Sequence, residues 1–80
     1  MISCNQYDYI EIVCLYQYEI LLTLKSGESI QGIAMDTKRD DDKQECILIN
    51  LDSGSKLVVL DELLSLEVLT QNPKFKMVTF

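Results

Sequence analysis

Eighty residues, 48% of them hydrophobic, with thirteen acids against seven bases and a net charge of −6, describe one small domain over residues 1–80. The apolar fraction excludes a disordered chain, and no apolar run approaches the roughly 20 residues of a membrane span. The start, Met1 to Gln6, lacks the basic residues of a signal peptide, so a soluble, cytoplasmic protein without membrane contact is expected.

Residues 6–15 read as a short helix. Tyr7, Ile10, Val13 and Cys14 recur at helical spacing and form the face to be buried. Asp8, Glu11 and Leu15 share the opposite face. Asn5 is the expected N-cap, and Asp8 is expected in the first turn, where a carboxylate favours the helix dipole. The β-branched Ile10, Ile12 and Val13 weaken intrinsic helicity, so packing must hold the segment.

From Tyr18 the period changes to two. Tyr18, Ile20, Leu22 and Leu24 point one way; Glu19, Leu21, Thr23 and Lys25 point the other. Ser26-Gly27 turns the chain, and Glu28 to Asp36 returns as a second strand. Gly32, inside that strand, marks a bend or a close backbone approach. Thr37 to Gln44 is wholly polar and reads as an exposed loop. Glu45 to Leu51 is the third strand, with Ile47, Ile49 and Leu51 on one side. Asp52 to Ser55 is a tight turn, and Lys56 to Leu60 is the fourth strand. Asp61-Glu62 breaks the apolar run in a one-turn 3₁₀ segment. Leu64 to Thr70 is the fifth strand. Asn72-Pro73 interrupts pairing, and residues 74–80 read as a tail or a sixth, edge strand guarded by Lys74 and Lys76. The barrel then spans about residues 17–70.

Charge narrows the function classes. Phosphate contacts come from Lys and Arg, yet Arg39 is the one arginine and the first 24 residues carry no base. Direct nucleic-acid binding is disfavoured, and an acidic surface suits a basic partner or serves solubility alone. Cys4, Cys14 and Cys46 are too few and too widely spaced for a disulfide framework or a C-x-x-C pair. They read as reduced thiols, with Cys14 and Cys46 packed and Cys4 more exposed. With no histidine, neither a common zinc site nor a Cys–His nucleophile is available. No phosphate loop or metal cluster supports an enzyme, and no cofactor or metal is expected.

Short strands at this spacing indicate a mainly β, small SH3-like barrel of five or six antiparallel strands behind one N-terminal α-helix. The run Leu24 to Asp36 (LKSGESIQGIAMD) resembles the first Sm signature, so the barrel is expected to be Sm-like. The runs Tyr7 to Cys14 (YDYIEIVC), Leu22 to Glu28 (LTLKSGE), Ala34-Met35-Asp36 and Leu60 to Leu63 (LDEL) together closely resemble the Rho-binding antiterminator family, the Rof or YaeO proteins. The resemblance covers roughly Cys4 to Leu69 and excludes the tail after Pro73. The loop 37–44 is longer and more acidic than the family pattern.

That resemblance implies an inhibitor of the transcription terminator Rho. It implies binding to the N-terminal, OB-type RNA-binding region of Rho, which blocks RNA loading and gives antitermination. Tyr7, Asp8 and Glu11 match the helix motif and are the expected partner contacts. Asp8 and Glu11 would pair with Rho Lys or Arg in place of RNA phosphate, and Tyr7 would approach the base-stacking surface. Tyr7 reads equally as a core contact. Asn5 would cap the helix and touch Rho. Lys38, Arg39 and Asp40 belong to the loop expected beside the helix and complete the candidate set, although such a charge run is often simply solvated. Asp36, matching the Sm aspartate, reads first as a hydrogen-bonded turn carboxylate. The alternative function is an Sm-like RNA-binding module. Leu60-Asp61-Glu62 argues against it, because Sm proteins commonly place an Arg-Gly or Lys-Gly pair there. A monomer is expected, since Sm rings assemble through edge strands and residues 74–80 would guard one edge.

Overall fold

The computed structural model describes residues 2–71 and 73–80. One helix, α1 (Cys4–Leu15), precedes six antiparallel strands: β1 (Glu19–Leu24), β2 (Ser29–Arg39), β3 (Glu45–Leu51), β4 (Gly54–Val59), β5 (Leu63–Val68) and β6 (Met77–Thr79). A 3₁₀ turn, Leu60–Glu62, joins β4 to β5. The sheet order is β4-β3-β2-β1-β5-β6. This is the mainly β, barrel-like fold with one leading helix that the alternation of apolar residues predicts.

The helix begins earlier than its apolar spacing suggests, and its cap is Ser3 rather than Asn5. The Ser3 hydroxyl accepts from the Gln6 N–H at 3.2 Å, and the Gln6 side chain accepts from the Ser3 N–H at 2.9 Å. This reciprocal capping box satisfies two backbone donors at once, which Asn5 alone would not. Starting at Cys4 also moves Asp8 out of the first turn, which carries no acid. The dipole role expected for Asp8 is therefore lost.

One long strand organises the sheet. The first half of β2 pairs with β1, from Thr23↔Ser29 to Glu19↔Ile33. Its second half pairs with β3, from Ile33↔Asn50 to Arg39↔Glu45. Ile33 thus serves both neighbours, and β2 must bend. Two features permit this: Gly32, against which the β3 backbone lies, and a bulge between Ala34 and Asp36. Because the ladder continues, β2 runs to Arg39. Thr37, Lys38 and Arg39 are strand residues opposite Ile47, Cys46 and Glu45, not loop residues. Polarity misled here, because these residues lie on an exposed stretch of strand whose hydrogen bonds are supplied by β3. The connecting turn is only residues 40–44.

The core is as the alternation requires. Tyr18, Ile20, Leu22 and Leu24 are all buried, joined by Ile47 and Ile49 of β3, Leu63 and Leu66 of β5, and Ile10 and Val13 of α1. Tyr7 and Cys14 reach only half-burial, and Leu15 is 76% exposed. Cys46 is buried and Cys4 exposed. Small boundary shifts follow hydrogen bonding: β4 starts at Gly54, β5 spans Leu63–Val68, and the sixth strand is limited to Met77–Thr79 on the outer edge of β5. Of the expected interruption at Asn72-Pro73, Asn72 lies outside the described residues. No helix among the described residues is long and apolar enough to cross a membrane.

Candidate functional site

The helix leans on β2 and leaves a groove along each of its flanks. The first groove encloses about 680 Å³. Ile2, Tyr7 and Leu60 give it apolar walls, and Asp8, Glu11, Glu45 and Asp61 give it carboxylates. The second lies between Ile12, Cys14 and Leu15 of α1 and Met35, Asp36 and Thr37 of β2. Asp8 and Glu11 line both grooves. They form an acidic ridge with a depression on either side. Lys43 is the only base lining either groove among the described residues.

This convergence is a consequence of topology. The β2–β3 ladder carries Glu45 to the helix flank, the bulge places Asp36 opposite Cys14 and Leu15, and the 3₁₀ turn brings in Asp61. Burial and two neighbouring carboxylates act together on Cys14. Its thiol pKa is pushed up to about 11, first by burial and then by the negative charges of Asp36 and Glu11. The Cys46 thiol is also raised, first by burial and then by Asp40. Neither is a thiolate at neutral pH, so neither is poised as a nucleophile.

The expected site residues divide into two groups. Tyr7, Asp8 and Glu11 come together at the first groove. Tyr7 is both things the sequence allows: half-buried against the core and a wall of the groove. Asn5 is exposed on α1 and lines neither groove. Lys38, Arg39 and Asp40 also lie outside both. The Arg39 guanidinium bonds the Glu45 carboxylate at 3.4 Å and the Lys43 carbonyl at 3.2 Å, which braces the turn. The Asp40 carboxylate accepts from the N–H groups of Asp42 and Gln44 at 3.0 and 2.9 Å, the local pattern of an Asx turn. Asp36 bonds the Thr37 N–H at 2.8 Å within the strand, not in a turn.

Glu45, Asp61 and Lys43 line the first groove without a local sequence signal that points to it. Glu45 begins β3, Asp61 sits within the 3₁₀ turn and Lys43 within the turn between β2 and β3, and only the β2–β3 register and the 3₁₀ turn carry them to the helix. The Arg39↔Glu45 pairing at the end of the β2–β3 ladder fixes the position of Glu45.

Residues 1–80 match the family described as "Modulator of Rho-dependent transcription termination (ROF)". A solved structure, "YaeO bound to Magnesium from Vibrio cholerae O395", is similar at 44% identity and a TM-score of 0.89, over 94% of this chain and 97% of that one. None of the curated proteins compared matches the chain.

Proposed function

The chain belongs to the ROF family of modulators of Rho-dependent transcription termination, and on that premise we propose that it inhibits Rho by occupying the N-terminal, OB-type region where RNA loads. The observation that carries this reading is the acidic ridge, Asp8 and Glu11 between two grooves rimmed by Glu45, Asp61 and Asp36. A surface that loads RNA must present Lys and Arg to phosphate. Carboxylates at fixed positions can take those donors in place of phosphate oxygens. The grooves give long basic side chains somewhere to lay their apolar stems. Tyr7 adds a ring to the groove wall, suited to a surface that stacks bases. Antitermination then follows from competition and needs no chemical step.

The magnesium named for the similar structure has no counterpart in this reading. Among the described residues, no group of three or more Cys, Asp or Glu side chains is arranged to hold a metal ion. An RNA-binding role is disfavoured by the same charges that favour Rho: Leu60-Asp61-Glu62 sets acids where a nucleotide would need a base.

The test is competition. Immobilised Rho should retain the protein, and a C-rich RNA should displace it in proportion to occupancy. A ternary complex of Rho, RNA and this protein would sink the proposal. The protein alone should show no RNA affinity even at low salt.

The protein is also proposed to be a monomer. β6 covers the outer edge of β5 through Ser65↔Thr79, Leu66↔Val78 and Glu67↔Met77, which removes one of the two edges that ring assembly needs. Light scattering should give the mass of one chain; a hexamer or heptamer would overturn this and revive the RNA-module reading.

A further inference from the structure

We propose that the segment Pro73 to Phe80 is a strap that holds α1 at the angle recognition requires, with Phe75 as its positioning residue. The proposal rests on α1 being the element that meets Rho. The helix needs external support: it has twelve residues, three of them β-branched near its centre, and no base in its last turn. Helices of this length are marginal on their own in water. β2 supports one side.

The tail supports another, at points spread along the whole helix. Near the start, the Gln6 amide donates to the Thr79 carbonyl at 3.3 Å. In the middle, the rings of Tyr9 and Phe75 meet edge-on, 4.7 Å between centroids and 62° between planes. At the end, the Lys74 ammonium lies 5.8 Å from the centre of the Tyr16 ring. Tyr16 in turn stacks on Tyr18, whose hydroxyl accepts from the Lys74 N–H at 3.0 Å. The strap is itself anchored. The Phe80 N–H donates to the Leu64 carbonyl at 2.9 Å, the Val68 N–H donates to the Lys76 carbonyl at 2.7 Å, and Phe75, Val78 and Phe80 pack against the core.

Its contacts avoid the acidic ridge. Gln6 and Tyr9 fall on one flank of the helix, three residues apart, and the C-cap Tyr16, seven residues on, continues that line. Asp8 and Glu11 flank Tyr9 in sequence but project elsewhere, at about 100° per residue. No strap residue lines either groove that the ridge separates. The tail can therefore be loosened without touching a carboxylate.

The experiment compares Phe75→Leu, Phe75→Tyr, Tyr9→Leu and the Tyr9→Leu, Phe75→Leu double variant by amide hydrogen exchange and by titration with Rho. Phe75→Leu keeps apolar bulk but loses the ring contact. It should speed exchange in α1, leave β1 to β3 unchanged, and weaken Rho binding by about threefold to tenfold. Phe75→Tyr keeps the ring and should bind as wild type. The double variant should lose no more than the worse single, because both remove one contact. Unchanged α1 exchange in Phe75→Leu overturns the proposal. So does acceleration spread evenly over the chain, the mark of general destabilisation. Accelerated α1 exchange with undiminished Rho affinity overturns it too. In that case charge reversal at Asp8 and Glu11 separates the two ideas: if reversal still weakens binding, recognition by α1 stands and the strap alone falls.

Discussion

An Asp8→Lys, Glu11→Lys variant is expected to lose Rho binding while keeping its fold. Both side chains stand on the exposed side of α1, and among the described residues neither makes a hydrogen bond that caps the helix or crosses to the sheet. Substitutions at such positions usually change stability by less than about 0.5 kcal/mol. At an interface the arithmetic differs. Breaking a hydrogen-bonded charge contact costs roughly 2–5 kcal/mol, and each 1.4 kcal/mol is about a tenfold loss of affinity. Reversal should cost more than neutralisation, because two lysines would then face a surface built for phosphate. The remaining acids, Glu45, Asp61 and Asp36, would be left without the ridge between them. Wild-type binding should weaken with salt, since part of the attraction is long-range, and the variant should lose that dependence. The measurement pairs a melting curve with a Rho titration at two salt concentrations. Wild-type affinity in the variant would move recognition away from α1.

The sequence makes the core legible because burial imposes a period that composition cannot hide. Tyr18, Ile20, Leu22 and Leu24 alternate cleanly, and all four are buried. The helix centre, Ile10 and Val13, is found for the same reason. What periodicity misses are features fixed by hydrogen bonding at element ends. Ser3 caps the helix through a box with Gln6, yet neither residue disturbs an apolar pattern. Thr37, Lys38 and Arg39 look like loop because their side chains are polar, although their backbone is paired with β3. The site shows the same division. Tyr7, Asp8 and Glu11 lie within five residues of one helix, so their grouping at the first groove can be read from it. Glu45 and Asp61 reach the groove only through the β2–β3 register and the 3₁₀ turn, which are long-range facts. Arg39 and Asp40 carry charge in a suggestive place, but their visible bonds brace the turn between β2 and β3.

Gly32→Ala is expected to be among the most damaging single-methyl changes in the chain. A Cβ at Gly32 would lie 2.6 Å from the Asn50 carbonyl oxygen, 2.6 Å from Ile49 Cγ2 and 2.9 Å from Leu51 Cδ2. The first of these is backbone, so no rotamer change relieves it. Asn50 is paired with Ile33, the residue at which β2 passes from β1 to β3. Relief would require β3 to move away from the very point where the sheet bends. Overpacking of this kind typically costs about 1–3 kcal/mol. The entropy gained by removing a glycine from the unfolded chain returns only about 0.4–1 kcal/mol. A net loss of about 1–2 kcal/mol is a large share of what a core this small supplies. At about 4–8 °C per kcal/mol, the melting temperature should fall by roughly 5–15 °C. A melting temperature at or above wild type would show that β2 bends by the bulge at Ala34 to Asp36 alone. A fall confirmed by denaturant titration would identify Gly32 as the hinge that lets one strand serve both halves of the barrel, and with it the position of Asp36, Glu45 and the acidic ridge they flank.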